Sequence, residues 1–310
     1  MRNGRMVAGS GQAELRALVE GYCDWMRLHR GIAETTLRYH GSTLAKAFAA
    51  LGGNPARWTA TALRGFAFSL AGRLGHADAR NSVLVVRSFL RYAAAEGLVR
   101  AGLDGAVPTL AGWRRSDPPR YLASEDVERV LLACDRRTRM GVRDRAILLL
   151  LGRLGLRAGE VAQLRFEDID WRESRIRVVG KGRREALLPL PQEVGDAIMA
   201  YLRRGRPRAA AAQVFVTCPP RGGQHGPLHR SSLSNVVGRA IRRAGVKAPH
   251  HGAHVLRHSV ATTMLRSGAS LQTIGSLLRH CSLETTAHYA KVDVALLEEV
   301  AQPWPGVASW

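Results

Sequence analysis

The stretch HVLRHSVATTMLRSG, residues 254–268, has apolar side chains at the spacing of an α-helix as far as Ser267. His254 and Arg257 are three residues apart, which places both side chains on one face of that helix. An arginine on this face could donate two parallel hydrogen bonds to a phosphate group. The pair carries little information alone, because a chain rich in both residue types contains such pairs by chance. The pair becomes significant because of the composition of the sequence around it.

No aspartate or glutamate occurs between residues 197 and 283, whereas this segment contains 13 lysines and arginines. A carboxylate near a nucleic-acid backbone weakens binding, so a long segment without one is expected to face phosphates. The chain of 310 residues has 46 Lys+Arg against 25 Asp+Glu, a net charge of +21. This excess predicts a polyanionic partner, either nucleic acid or an acidic membrane surface, although a short basic run alone would more simply be a solvated face.

The sequence predicts no membrane segment and no secreted protein. The longest apolar run, Ala146 to Leu151, falls far short of the about 18 residues that a transmembrane helix needs. The N-terminal residues lack the apolar region of a secretory signal, and the four cysteines are scattered singly. We therefore expect a protein of the reducing cytoplasm.

The sequence also contains no clear pattern for a resident metal ion or a nucleotide. His250, His254 and His258 recur every four residues, which could suggest a helical zinc site. Residues 249–253 resemble a loop, however, no H-E-x-x-H is present, and Arg257 would repel a cation. No G-x-x-x-x-G-K-[ST] phosphate-binding loop occurs. We expect neither a metal site nor a cofactor.

The length predicts two domains. The first, residues 1–105, is expected to be a small basic bundle of four amphipathic helices. These helices are predicted at residues 13–28, 35–51, 61–74 and 80–96. Residues 106–120 contain glycines and prolines without periodicity and are predicted to form a linker. Arg114 and Arg115 in this linker are candidate contacts to the DNA backbone.

The second domain, residues 121–310, is predicted to be mostly helical with one small antiparallel sheet. It opens with a helix that Ser124 is expected to cap. Two β-like runs, residues 176–179 and 186–190, predict a hairpin or a three-stranded sheet. The remaining helices are predicted at residues 143–154, 194–202, 232–244, 254–267, 271–278 and 283–289. The expected fold class is therefore mainly α (α+β).

Three further motifs contain side chains suited to phosphate chemistry. In LGLRAGEV, residues 154–161, Glu160 follows Arg157 by three residues, so its carboxylate could hold the guanidinium. Lys181 lies at the tip of the predicted hairpin, and the pKa of a lysine falls when cations crowd it. In LLRHCSLETTAHYAKV, residues 277–292, Tyr289 lies nine residues beyond His280. Alone, each motif has a plainer interpretation: a helix ion pair, a solvated turn lysine or a core tyrosine.

Taken in order, these motifs resemble the catalytic set of the tyrosine recombinases, the phage integrase family. The resemblance covers roughly Tyr121 to Val300. It implies that the first domain, residues 1–105, is a core-binding domain that contacts DNA through a SAM-like helical bundle. The catalytic set it implies is Arg157, Lys181, His254, Arg257, His280 and Tyr289, with Glu160 in support. This chain departs from the family pattern at Gly159, where serine is common, and at Arg279, where glycine is common.

The resemblance implies that Tyr289 attacks a DNA phosphodiester, forming a 3′-phosphotyrosyl link and releasing a 5′-hydroxyl. Two arginines would bind the non-bridging oxygens with help from His280, and Glu160 would orient the first of them. His254 would take the proton of the tyrosine as general base, and Lys181 would protonate the departing oxygen. Such chemistry needs no metal ion and no ATP.

The resemblance further implies a homotetramer on double-stranded DNA that carries inverted-repeat recombination sites, with strand exchange of the kind mobile elements use. The segment after Tyr289 would dock on a neighbouring protomer, or alternatively fold back on its own domain. Arg183, Arg242 and Arg243 are further candidate DNA contacts, and accessory proteins or a second recombinase could take part. Two alternatives stay open: a type IB topoisomerase, and a DNA-binding relative without catalytic activity.

Overall fold

The computed structural model describes residues 4–110, 120–180, 184–218, 223–279, 286 and 289, with side chains from residue 13 onward. The chain divides into two compact units, Met1–Arg114 and Arg115–Trp310. The domain and linker boundaries predicted above remain predictions, since residues 111–119 lie outside the described part. None of the described helices is long and apolar enough to cross a membrane.

The first unit is a bundle of α-helices around an aromatic core. Its helices are α1 (Gly4–Arg30), α2 (Glu34–Leu51), α3 (Ala60–Arg73) and α4 (His76–Ala95). Tyr22 and Phe89 are both fully buried, and their rings meet edge to face with centroids 5.7 Å apart. Such edge-to-face pairs stabilise a core beyond the area they bury.

The second unit is mostly helical with one three-stranded antiparallel sheet, β1-β2-β3. Its helices and strands are α5 (Ser124–Leu132), α6 (Arg139–Arg153), α7 (Ala158–Gln163), β1 (Ile169–Asp170), β2 (Arg175–Val179), β3 (Glu185–Pro189), α8 (Gln192–Arg204), α9 (Arg230–Arg243), α10 (His254–Arg266) and α11 (Leu271–Leu277). In the sheet, Ile176 pairs with Ile169 on one side and Leu188 on the other. The predicted fold class is thereby confirmed.

Helix α6 is the centre of the second unit. Every residue from Ala146 to Leu151 is completely buried, so this part of the helix is surrounded by protein on all sides. A helix that is apolar all round belongs in a core. The run Ala146–Leu151, too short for a membrane, is therefore the middle of the domain.

Several predicted helix starts were wrong. Helices α1 and α4 begin at Gly4 and His76, where the pattern predicted residues 13 and 80. Helix α6 begins at Arg139, because Thr138 caps it by accepting a hydrogen bond from Gly141 N at 3.0 Å. The periodic pattern hides this start because Arg143 and Asp144 are charged yet buried, paired at 2.8 Å. At α5, Ala123 occupies the N-cap position and Ser124 is the first helical residue, with no side-chain cap.

Candidate active site

The connection between α6 and α7 is built on Gly155. Its φ of +58° is a left-handed conformation that favours glycine. A Cβ at this position would also lie 2.8 Å from Leu278 Cδ2, closer than carbon atoms approach. This turn directs the chain into Arg157, which occupies the N-cap position of α7.

Glu160 holds Arg157 at two points. Its carboxylate accepts a hydrogen bond from Arg157 Nη1 and another from the backbone N–H of Arg157, both at 2.8 Å. The predicted contact is present, but Arg157 precedes the helix, and Glu160 reaches back to it from the first turn. Glu160 is 4% exposed, so the contact is shielded from water. A buried charge-assisted pair of this kind fixes the guanidinium firmly.

Arg257, on α10, is buried in the same region. Its Nη1 donates to the carbonyl of Gly155 and its Nη2 to the carbonyl of Leu278. Burial lowers the pKa of Arg257 to about 10, with further lowering by Arg157 and an opposing effect from Glu160. The side chain is still a cation at neutral pH. Its charge is nevertheless unfavourable where it lies, and a bound anion would relieve this.

Arg279 is a side chain of this site that the sequence did not predict to have a role in it. It has a φ of +54°, which explains why glycine suits this position in the family. Its Nη2 donates to Glu160 Oε2 at 2.8 Å, and its own carbonyl accepts from Arg157 Nη2 at 3.4 Å. Because 119 residues separate Arg279 from Glu160, no local pattern could reveal the contact.

Tyr289 is 2% exposed and packs in an apolar cluster with Leu278 and Ile274. Its hydroxyl lies 2.8 Å from Nδ1 of His258. The sequence prediction gave this partnership to His254 and considered His258 only as a zinc ligand. The signal was available: His258 is next to Arg257 and one helical turn beyond His254.

His254 is the first residue of α10, and its ring centroid is 6.4 Å from that of His258. Although part of the residue is open to solvent, desolvation of the ring lowers the pKa of His254. Arg257 and Arg157 lower it further. The imidazole is therefore neutral at pH 7 and able to accept a proton.

Several predicted site residues lie outside the described residues: Lys181, Arg183, His280, Arg114 and Arg115. The segment after Tyr289 is outside them as well. Arg157, Arg257 and Arg279 form an arginine cluster around Glu160. Gly180, which precedes Lys181, lies beside this cluster, since a Cβ there would be 3.7 Å from Glu160 Oε1. Arg242 and Arg243 are exposed in the last turn of α9. Within the ranges that the structure covers, no three His, Cys, Asp or Glu side chains could hold a metal ion.

The sequence profile of the phage integrase family matches residues 120–295. The integrase/recombinase homologue y4rA of Sinorhizobium fredii is 47% identical over 238 residues, covering 76% of this chain and 57% of y4rA. The chain thus spans little more than half the length of that relative. Tyrosine recombinase XerD of Mycobacterium tuberculosis is 33% identical over 309 residues, covering 93% of this chain and 96% of XerD.

Among solved structures, the fold is similar to that of a lambda integrase tetramer bound to a Holliday junction. The TM-score is 0.68 at 16% identity, over 89% of this chain and 76% of the integrase chain. At that identity the likeness speaks for the fold alone. The profile match and the XerD homology show more: the chain belongs to the phage integrase family of tyrosine recombinases.

Proposed function

We propose that this protein is a site-specific DNA recombinase that cleaves and rejoins DNA through a 3′-phosphotyrosyl intermediate on Tyr289. The observation that carries the proposal is that Leu278 contacts both the environment of Tyr289 and the side chain of Arg257. Its side chain packs in the cluster that holds Tyr289, and its carbonyl accepts a hydrogen bond from the buried Arg257. The proposed nucleophile, Tyr289, and the proposed phosphate-binding cation, Arg257, are therefore both positioned by contacts at Leu278.

The phosphate of the cleaved strand would bind between Arg157 and Arg257. Three guanidinium groups, those of Arg157, Arg257 and Arg279, surround the single carboxylate of Glu160. This arrangement has a net charge of +2 in a largely buried place. A phosphodiester would neutralise part of that charge, and the negative charge that develops during attack would neutralise more. The arginines therefore favour the transition state over the bound substrate.

Proton transfer from Tyr289 is assigned to His258, whose Nδ1 is within hydrogen-bond distance of the hydroxyl. Removing the proton makes the phenol a much better nucleophile. Because Tyr289 is almost fully buried, its hydroxyl must also move before it reaches a phosphate. Lys181 and His280 keep the roles that the family resemblance implies, as leaving-group acid and as donor to the non-bridging oxygens.

The phosphotyrosyl bond conserves the energy of the phosphodiester, so a 5′-hydroxyl from another strand can attack it and reseal the DNA. We accordingly propose that the reaction needs neither a metal ion nor ATP. The partner would be a double-stranded site with inverted repeats, bound by four copies of the chain. Lambda integrase, solved as a tetramer on a Holliday junction, supports this assembly by analogy of fold. Similarity to integrases supports a role in a mobile element of the bacterial cytoplasm.

The proposal is tested by trapping the intermediate. A binding site is first selected from random duplexes with the purified protein, and a copy is then nicked beside the cleavage position. Loss of the short fragment after cleavage leaves the protein covalently attached, which denaturing electrophoresis detects. We expect an adduct without added metal or nucleotide. Binding without any adduct would instead identify a non-catalytic relative.

The same preparation distinguishes a recombinase from a type IB topoisomerase. A supercoiled plasmid without the selected site is incubated with the protein, beside a plasmid that contains two copies of the site. We expect recombinant products from the second plasmid and no relaxation of the first. Relaxation of the plasmid without a site would favour the topoisomerase.

A further inference from the structure

We propose that Arg279 is a positioning residue that keeps the charge of Arg157 available for the DNA phosphate by neutralising Glu160. This inference rests on the function proposed above and adds a residue to the same site. It starts from a contact between side chains far apart in the sequence. Glu160 Oε2 accepts from Arg279 Nη2 at 2.8 Å, while Oε1 accepts from Arg157 Nη1 at the same distance.

The charges show why a second cation on Glu160 matters. Arg157 paired with Glu160 alone would form a neutral unit, and a neutral unit attracts a phosphate weakly. With Arg279 on the other carboxylate oxygen, the three groups have a net charge of +1. Arg157 is thus fixed by Glu160 without losing its effect on an anion. Arg279 itself is 10% exposed, which makes it a support inside the site.

The backbone at Arg279 supports the same arrangement. The consecutive carbonyls of Leu278 and Arg279 accept hydrogen bonds from Arg257 Nη2 and Arg157 Nη2. A left-handed conformation at Arg279 joins these two contacts, and glycine adopts this conformation more easily than arginine does. Arginine therefore has an unfavourable backbone conformation at this position. This indicates that its side chain makes a contact that compensates for the backbone cost.

Burial of the Arg279 guanidinium is incompletely compensated. Its Nε finds no hydrogen-bond partner among the residues for which the structure gives side chains. Desolvation lowers the pKa of Arg279, and Glu160 opposes this. Glu160 is the carboxylate that makes this buried cation tolerable, so the two side chains depend on each other.

The test is a double-mutant cycle on the rate constant of adduct formation at saturating DNA. Arg279→Gly preserves the left-handed backbone and removes only the side chain. We expect a fall of about tenfold or more, the effect of one charge-assisted hydrogen bond. When Glu160 is already replaced by glutamine, Arg279→Gly is expected to lower the rate constant by no more than about a further twofold. The carboxylate that Arg279 neutralises is absent from that background. Arg279→Lys, which retains the charge, is expected to be faster than Arg279→Gly.

Arg145→Ala is the matched control. Arg279 donates to the carboxylate of Glu160 and to the carbonyl of Leu277. Arg145 is 16% exposed and likewise donates to one carboxylate and one carbonyl, those of Glu193 and Leu131, away from this site. We expect this variant to form adduct at the wild-type rate.

Three results would overturn the inference. They are a wild-type rate for Arg279→Gly, an equal loss in both backgrounds, and a lysine variant no faster than the glycine variant. An equal loss in both backgrounds would assign Arg279 to direct phosphate contact instead. Failure of the wild-type chain to form any adduct would refute the proposed function itself, so the two failures are distinguishable.

Discussion

Replacing Glu160 by glutamine tests how much the carboxylate stabilises the arginine cluster. The change removes the single negative charge among three guanidinium groups and keeps the size of the side chain. Glu160 is 4% exposed, and its two guanidinium partners lie at 2.8 Å. Leaving a buried charge without its partner typically costs about 3–5 kcal/mol. Arg157 keeps 29% exposure and glutamine can still accept one hydrogen bond, so we expect about 3 kcal/mol.

The measurement is the free energy of unfolding from urea titration followed by circular dichroism, together with the melting temperature. A loss of about 3 kcal/mol corresponds to a fall of roughly 6–12 °C in a domain of this size. Glu193→Gln is the matched control, because Glu193 also binds two arginines, Arg145 at 3.2 Å and Arg153 at 3.0 Å. Glu193 is 43% exposed, and exposed ion pairs contribute only about 0–1 kcal/mol.

Equal stability of the two variants would refute this reasoning, because it expects a large loss only where the carboxylate is buried. A second comparison connects the stability to anion binding. Because the cluster in Glu160→Gln has three uncompensated cations, inorganic sulfate is expected to raise its melting temperature more than that of the wild-type protein. A smaller shift in the variant would contradict a phosphate site at this place.

Three further predictions concern single side chains. Arg257→Lys should lower the rate of adduct formation about hundredfold at unchanged DNA affinity, because one ammonium cannot replace a planar group that donates to two carbonyls; near-normal cleavage would contradict this. Leu148→Ala, in the fully buried part of α6, should lower the free energy of unfolding by about 3–4 kcal/mol in urea titration, whereas Leu132→Ala at 65% exposure should change it little. Burial raises the pKa of Cys134 from 9 to about 11. At pH 8 its thiolate fraction is therefore about hundredfold below that of an unshifted thiol. Alkylation followed by mass spectrometry should label the less buried Cys218 before Cys134.

Local sequence patterns predicted most of the fold and the parts of the site that are close in sequence. Arg157 with Glu160, and His254 with Arg257, lie within one turn of each other, so spacing alone placed them together. The aliphatic run in α6 likewise lies in a helix that the pattern predicted, at residues 143–154. These features depend on a few neighbouring residues, and such residues are what a periodic pattern reports.

Most of the features that sequence reasoning missed depend on tertiary contacts. Arg279 reaches Glu160 across 119 residues, and Tyr289 reaches His258 across 31. The start of α6 was missed because Arg143 and Asp144 neutralise each other in the core, with Arg239 contributing a further contact at 3.1 Å. Charged residues are expected on the surface, and only the folded chain shows where a partner permits their burial.

The most direct test of the central claim is to identify the residue that becomes attached to DNA. The trapped adduct is digested with protease and nuclease, and the peptide that retains a nucleotide is sequenced by mass spectrometry, with Tyr289→Phe as the paired variant. We predict a nucleotide joined through its 3′-phosphate to Tyr289, and a variant that binds DNA but forms no adduct. Attachment at another residue, or an adduct that persists in Tyr289→Phe, would show that a different nucleophile cleaves the strand.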